Sequence, residues 1–374
     1  MAAFTGQLRS NEIFSALYNM IISQEVFADN LGKHQTLVDK ARVDGGLYGD
    51  TKLYYATDVL KSVPWGPAMG IAEQTEANNL LALHRPEAPE CQAIHLDIFR
   101  QICLTVDNYL SKRAWSDEGS FSSFNSIMLG WMRETKRVYD GTLYNVFIGT
   151  TKAAGAGQTI SVNLDSASSG DPLYGLTGVE AEQMEAMLIA QRLADLMVEM
   201  GDYSRDFNDY GNLRSYAEDG IKVIWNSKFV NKIRKIDLPT IFHKDGLVDK
   251  FEEEVLPEKY FGDVNAAQVS AASNTGQYRS VLEKDYTVSN VVTHVFPGDV
   301  IPAGAIIAAG EGYTAPAKDV ICKVLVKLPP YMSAFEVGTS FFNPKSLTEN
   351  HYLTFGHNTI EYLKNYPFIT VQVK

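Results

Sequence analysis

The chain has 374 residues, of which 45% are hydrophobic and 21% charged, and its formal net charge is −12. That length exceeds the roughly 250–300 residues at which a single core stops growing, so two domains or one elaborated domain are expected. The acidic balance argues against a freestanding nucleic-acid binder, because phosphate binding rests on clustered Lys and Arg. Cys91, Cys103 and Cys322 form no C-x-x-C pair and are too few for a disulfide framework, which suits synthesis in a reducing compartment. The N-terminus lacks the basic and apolar regions of a signal peptide, and no run approaches the roughly 20 apolar residues of a membrane span, so no membrane partner is expected.

In chain order, Ile13, Phe14, Leu17, Tyr18, Ile21 and Ile22 recur at helical spacing behind Ser10 and Asn11, predicting a short amphipathic helix over 10–27. From Val43 to Pro67, Asp44-Gly45-Gly46, Gly49-Asp50 and Pro64-Trp65-Gly66-Pro67 punctuate a strand over 52–57 that holds Lys52, Tyr54 and Tyr55, the pattern of a projecting hairpin or extended loop. Residues 93–106 suit a strand or a helix, and the reading leans to β. Phe121, Phe124, Met128 and Trp131, continued by Thr135 and Val138, share one face of a helix over 120–139 and are expected to be buried. Ser120 would be its N-cap and Gly141 its stop, with an aromatic-rich strand running on to Gly149.

Residues 151–178, rich in Gly, Ala and Ser, read as a loop or crossover. Thr177-Gly-Val-Glu180 fits a capping box for a helix whose apolar stripe, Ala186, Ile189, Leu193, Leu196 or Met197, and Met200, ends at Gly201. Residues 221–225 alternate like a strand and 227–236 like a short helix broken at Leu238-Pro239, whereas 242–287 is polar with few signals. Strands over 291–295 and 320–328 flank the turns at Pro297-Gly298-Asp299 and Pro302–Gly304. The end, from Tyr331, is β-like and closes on a strand over 369–373, and no internal repeat is visible.

Chemical motifs are sparse. Of His84, Cys91, His95 and Cys103, only Cys91 and His95 have the spacing of a zinc-ligand pair, so structural roles are favoured. Asp202, Asp206, Asn208, Asp209 and Gly211 resemble a calcium loop but miss its alternate-residue ligands and its twelfth-position Glu, so a solvated loop is expected. No nucleotide-binding glycine motif, nucleophile elbow or H-E-x-x-H occurs. No catalytic, cofactor-binding or metal residue is therefore assigned, and an enzyme is not expected. Tyr48, Tyr54 and Tyr55 suit an ordinary surface loop or an arm between subunits, and the enrichment of Tyr where surfaces meet favours the arm.

The order of these pieces resembles the tailed-phage major capsid proteins of the Hong Kong 97 type, closest to those of small short-tailed phages. Two stretches carry most of the resemblance: the helix leading into Asp140-Gly-Thr-Leu-Tyr-Asn-Val-Phe-Ile-Gly149, and Tyr216-Ala-Glu-Asp-Gly-Ile-Lys-Val-Ile-Trp225 followed by a short helix. The resemblance implies an α+β fold with an N-terminal arm (1–42), an E-loop (43–75), a P-domain (76–150 and 331–374) built on a spine helix, and an A-domain (151–330). It assigns intersubunit contact to Gly45, Gly46, Tyr48, Lys52, Tyr54, Tyr55 and Trp65, and spine-helix core to Phe121, Phe124, Met128 and Trp131. It further implies pentamers and hexamers of this chain in a shell around double-stranded DNA touched non-specifically, with a scaffolding protein and a portal as partners. The site of synthesis would be the host cytoplasm and the destination the virion. An acidic inner wall would let DNA slide. The rival readings are an encapsulin-type shell and a soluble metal-dependent enzyme.

Overall fold

The computed structural model describes residues 36–43, 51–62, 85–107, 118–151, 158–234, 252–315 and 320–374. The first elements are α1 (Leu37–Ala41), β1 (Arg42–Val43), β2 (Thr51–Ala56), β3 (Glu90–Val106) and α2 (Glu118–Gly149). There follow β4 (Thr150–Thr151), β5 (Thr159–Val162), α3 (Val179–Gly201), β6 (Lys222–Asn226), α4 (Ser227–Arg234), β7 (Glu252–Leu256) and β8 (Gly262–Asn265). The last are β9 (Arg279–Ser280), β10 (Lys284–Val288), β11 (Val291–Val295), β12 (Tyr313–Thr314), β13 (Val320–Leu325), β14 (Tyr331–Asn343), β15 (Thr348–Asn358) and β16 (Phe368–Val373). The architecture is α+β. The predicted helix over 10–27 lies outside the described residues, as do Gly45, Gly46, Tyr48, Trp65 and His84.

The chain divides into unit 1 (Met1–Asp50, Leu96–Tyr144, Tyr331–Thr359) and unit 2 (Thr51–His95, Asn145–Pro330, Ile360–Lys374). In unit 1, β15 lies between β14 and residues 96–106 of β3, antiparallel to both, and β1 adds to β14 in parallel. Just before β1, α1 is opened by a capping box in which the Thr36 N–H and hydroxyl both donate to Asp39.

Helix α2 departs from the sequence expectation twice. It continues through Gly141 to Gly149, so the stretch expected as a strand is helical, and Ser120 lies inside the helix rather than at its cap. Burial of Leu143, Tyr144, Val146 and Ile148 outweighs the weaker helix propensity of its aromatic and β-branched residues. The buried face is also set one residue on from the expected one. Trp131 is 48% exposed and Val138 is exposed too, whereas Met132, Lys136, Tyr139, Asp140 and Leu143 are buried. The side chains of Phe121, Phe124 and Met128 lie outside the described residues.

This face is polar because it carries an ion pair inward. Lys136 Nζ lies 3.0 Å from Asp140 Oδ2 and donates to Ser333 Oγ at 3.3 Å, while the Tyr331 hydroxyl donates to Asp140 Oδ1 at 2.5 Å. Burial and the adjacent Asp140 carboxylate push the Tyr331 phenol far above its ordinary range. Next to it, His357 Nδ1 donates to the Asn358 carbonyl at 2.9 Å, so Nε2 is the acceptor for the Tyr139 hydroxyl at 2.9 Å. Burial, the largest influence, lowers the His357 pKa, in keeping with that neutral tautomer. Helix and sheet are thus joined by matched donors and acceptors rather than by apolar packing alone.

Unit 2 holds a five-stranded sheet in the order β5-β16-β13-β6-β7. One edge, β5, reads Thr-Ile-Ser-Val; the other, β7, opens with Glu252, Glu253 and Glu254. Against the sheet packs α3, whose Ala186, Ile189, Leu193, Leu196, Met197 and Met200 are all buried, as the stripe predicts. Each such large side chain removed from water contributes about 1.5–3 kcal/mol. The helix starts without the expected capping box: Gly178 is the N-cap at φ +62°, and no side chain caps it.

The described part of the region without sequence signals, from residue 252, carries β-structure. A four-stranded sheet in the order β4-β8-β12-β9 and the β10–β11 hairpin enclose a separate core of Val269, Tyr286, Val295, Ile301, Ala305, Ile307 and Tyr313. Here β4 pairs with β8 directly after α2 ends, bringing the helix end against the backbone before β8. A Cβ on Gly149 would stand 2.2 Å from the Tyr260 carbonyl oxygen, which is why the helix ends on glycine.

Candidate assembly interface

Residues 51–95 of unit 2 contain an antiparallel hairpin of β2 with the first residues of β3, in which Tyr55 pairs with Cys91, Leu53 with Ala93 and Thr51 with His95. Because side chains alternate across a strand, these three pairs share one face. That face is open, with Tyr55 63% and Leu53 50% exposed, and Cys91 exposed as well. The opposite face carries Lys52, Tyr54 and Ala56 against Ile94, Gln92 and Glu90; Ala56, Ile94 and Gln92 are buried. Among the expected contact residues the structure therefore separates Tyr55, which faces outward, from Lys52 and Tyr54, which are half-buried on the inner face.

The hairpin is anchored in its own unit. Gln92 Nε2 donates to the Tyr362 carbonyl at 3.0 Å, and its Oε1 accepts from the Lys364 N–H at 2.9 Å. Beyond β2, Asp58 Oδ1 accepts from the Leu213 N–H at 2.9 Å and Oδ2 from Arg205 Nη1 at 2.7 Å, while Arg214 Nη2 donates to the Thr57 carbonyl. The Leu213 amide, then Arg205, hold the Asp58 carboxyl down at about 2.

The partner loop, 204–214, is the Asp-rich stretch that resembles a calcium loop. Backbone bonds between Ser204 and Arg214 close it at 2.9 and 3.0 Å. Asn208 bridges to Asn212 through both its amide atoms, and Gly211 sits at φ +67°. Asp209 accepts from Gln158 Nε2 at 2.8 Å and from the Tyr362 hydroxyl, and its own N–H donates to the Lys364 carbonyl. Among the described residues no group of three or more His, Cys, Asp and Glu is placed to hold a metal ion. His95 Nδ1 instead pairs with the Thr51 hydroxyl at 2.7 Å.

Unit 1 offers a second apolar surface that the sequence reading missed. At the end of the β14–β15 hairpin, Phe341, Phe342 and Leu347 are exposed, and Leu347 turns the chain at φ +54°. The sequence signal was present in Phe341-Phe342 followed by the turn-forming Asn343-Pro344-Lys345-Ser346, but the reading took the whole end only as β-like. A cavity of about 380 Å³ between β5 and α3 is lined by Thr159, Ser161, Arg192, Glu199 and Asp206 among others, and there Arg192 and Glu199 pair at 2.9 Å. No described helix is long and apolar enough to cross a membrane.

The chain aligns with solved structures over about nine-tenths of its length. The fold is that of phage capsid proteins. A structure of the head fiber and inner core protein gp22 of native bacteriophage P68 aligns with a TM-score of 0.60 and 10% identity, covering 90% of this chain and 84% of that one. The capsid structure of Staphylococcus phage Andhra aligns with a TM-score of 0.55 and 11% identity, covering 91% and 84%. The α+β Hong Kong 97-type architecture implied by the sequence resemblance is therefore the observed one. No family model and no curated protein sequence matches the chain.

Proposed function

We propose that this chain is the major subunit of a phage head, assembling into a closed shell around double-stranded DNA. The observation that carries this reading is the alignment of about nine-tenths of the chain with capsid and head structures at TM-scores above one half. Within it, residues 1–42 serve as the N-terminal arm, 43–75 as the E-loop, 76–150 and 331–374 as the P-domain, and 151–330 as the A-domain. A scaffolding protein, a portal and loosely held DNA are the partners, and the virion is the destination. The chain's part is mechanical: many modest contacts between copies, repeated around a closed lattice, add up to a stable shell.

Exposed aromatics on projecting hairpins supply such contacts at low entropic cost. Tyr55 and Leu53 on the β2–β3 hairpin, and Phe341 and Phe342 on the β14–β15 hairpin, are assigned to them. The test is sedimentation and electron microscopy of the purified full chain, alone and with a scaffolding protein. Closed shells are expected, and Tyr55→Ser should weaken each contact by about 1–2 kcal/mol without changing the subunit's circular dichroism. A chain that stays monomeric in every salt and scaffold condition would overturn the reading.

A further inference from the structure

The loop 204–214 and the end of the β2–β3 hairpin form a set of contacts that neither a calcium site nor a plain surface loop accounts for. Asp58 is addressed from two directions, by the Leu213 amide at 2.9 Å and by Arg205 at 2.7 Å, and Arg205 is itself fixed by donating to the Gly211 carbonyl at 2.6 Å. Arg214, whose backbone closes the loop with Ser204, reaches the carbonyl of Thr57 next to Asp58. The loop is held from behind by Asp209, tied to Gln158, Tyr362 and Lys364, and the hairpin's Gln92 binds the same 362–364 segment. The loop's polar residues are thus spent on holding its own shape and on gripping residues 57 and 58.

We propose that loop 204–214 is a latch that holds the β2–β3 hairpin in one orientation and so presents the Tyr55 and Leu53 face for assembly. Asp58, Arg205 and Arg214 are its positioning residues; they need not touch a neighbouring copy. A surface held in its binding-competent orientation loses less freedom on association than a loose one, so the latch acts on assembly without adding a contact. Since the Asp58 carboxyl is held at about 2, the latch stays ionised through the neutral range. This inference rests on the shell-forming reading above.

The experiment uses the full chain with Asp58→Ala, Asp58→Asn and Arg205→Ala, read by amide hydrogen exchange and by shell yield against concentration. In Asp58→Ala the Leu213 amide should lose protection while α3 keeps it. The concentration needed for shells should rise by about tenfold or more, since a small change per subunit is repeated around the lattice. Asp58→Asn, which keeps an acceptor for Leu213 but not the charge for Arg205, should fall between wild type and Asp58→Ala. Loss of Leu213 protection with an unchanged shell threshold would overturn the latch while leaving the shell reading intact, as would a Leu213 amide unprotected in wild type. A wild type that never assembles would instead overturn the shell reading and the latch with it.

Discussion

Lys323 sits at the centre of the main sheet of unit 2, on β13, with no exposed surface. Its Nζ donates to the Thr150 carbonyl at 2.7 Å, immediately after α2, and to Thr370 Oγ1 at 2.6 Å on β16, with the Phe368 ring centroid 4.7 Å away. Two acceptors match the two N–H groups of a neutral amine. Burial, only partly offset by Cys322 and Asp263, pushes its pKa down to about 7. The unfolded lysine keeps its ordinary value near 10.5. From pH 7 to 9 the unfolded chain therefore holds a proton that the folded chain releases, and stability rises with pH; below about 6 both states are protonated and this contribution is flat. The rise between pH 7 and 9 amounts to about 2 kcal/mol. Lys323→Met has no proton to exchange here, so urea unfolding of unassembled wild type and variant should give stabilities that diverge by that amount, wild type gaining as pH increases. Curves that stay parallel to within about 0.5 kcal/mol from pH 6 to 9 would show that the buried amine keeps its proton, refuting the reasoning.

Two further outcomes test the geometry of α2. Gly149→Ala should destabilise by more than about 2 kcal/mol, because the added carbon meets the Tyr260 carbonyl, whereas Gly141→Ala meets nothing within 4 Å and should stabilise by about 0.5–1 kcal/mol; thermal melting of the pair decides. Trp131→Ala should cost less than about 1.5 kcal/mol in the isolated subunit, since the side chain is half exposed, well short of the roughly 3–5 kcal/mol of a fully buried tryptophan. A loss in that larger range would return Trp131 to the core.

Helix α3 was legible because its stripe is apolar at every buried position, so period and burial carry the same message. Helix α2 was legible as a helix but not in its phase or length. Its buried face includes Lys136 and Asp140, which a polar-out reading places in solvent, and that shifts the apparent stripe by one residue onto Trp131. Its last turns, from Thr142 to Gly149, have strand-like composition, and only their burial decides for helix. Of the β-structure after residue 252, β8, β9 and β12 were hidden because they are two to four residues long, too short for alternation to show, and the core beside them gathers residues from Val269 to Tyr313, whereas the strands over 291–295, 320–325 and 368–373 were legible. At the hairpin the segment and the strand were readable and the facing was not. Which of Tyr54 and Tyr55 points outward depends on pairing register, and the grip on Asp58 joins residues more than 140 positions apart.

The two margins of the main sheet in unit 2 are unlike, and the difference bears on how such a chain behaves when crowded. Endless strand-on-strand stacking into a fibre needs a sticky margin on each side, so that every added copy leaves a fresh one behind. On β7, Glu253 and Glu254 follow one another along one margin, where an incoming strand with the same sequence meets like charge. The uncharged Thr159–Val162 margin can at most meet its own kind, which stops at two copies. Among the described residues, growth of this sheet into fibres is thereby opposed, leaving ordered contacts elsewhere on the chain to compete without that trap.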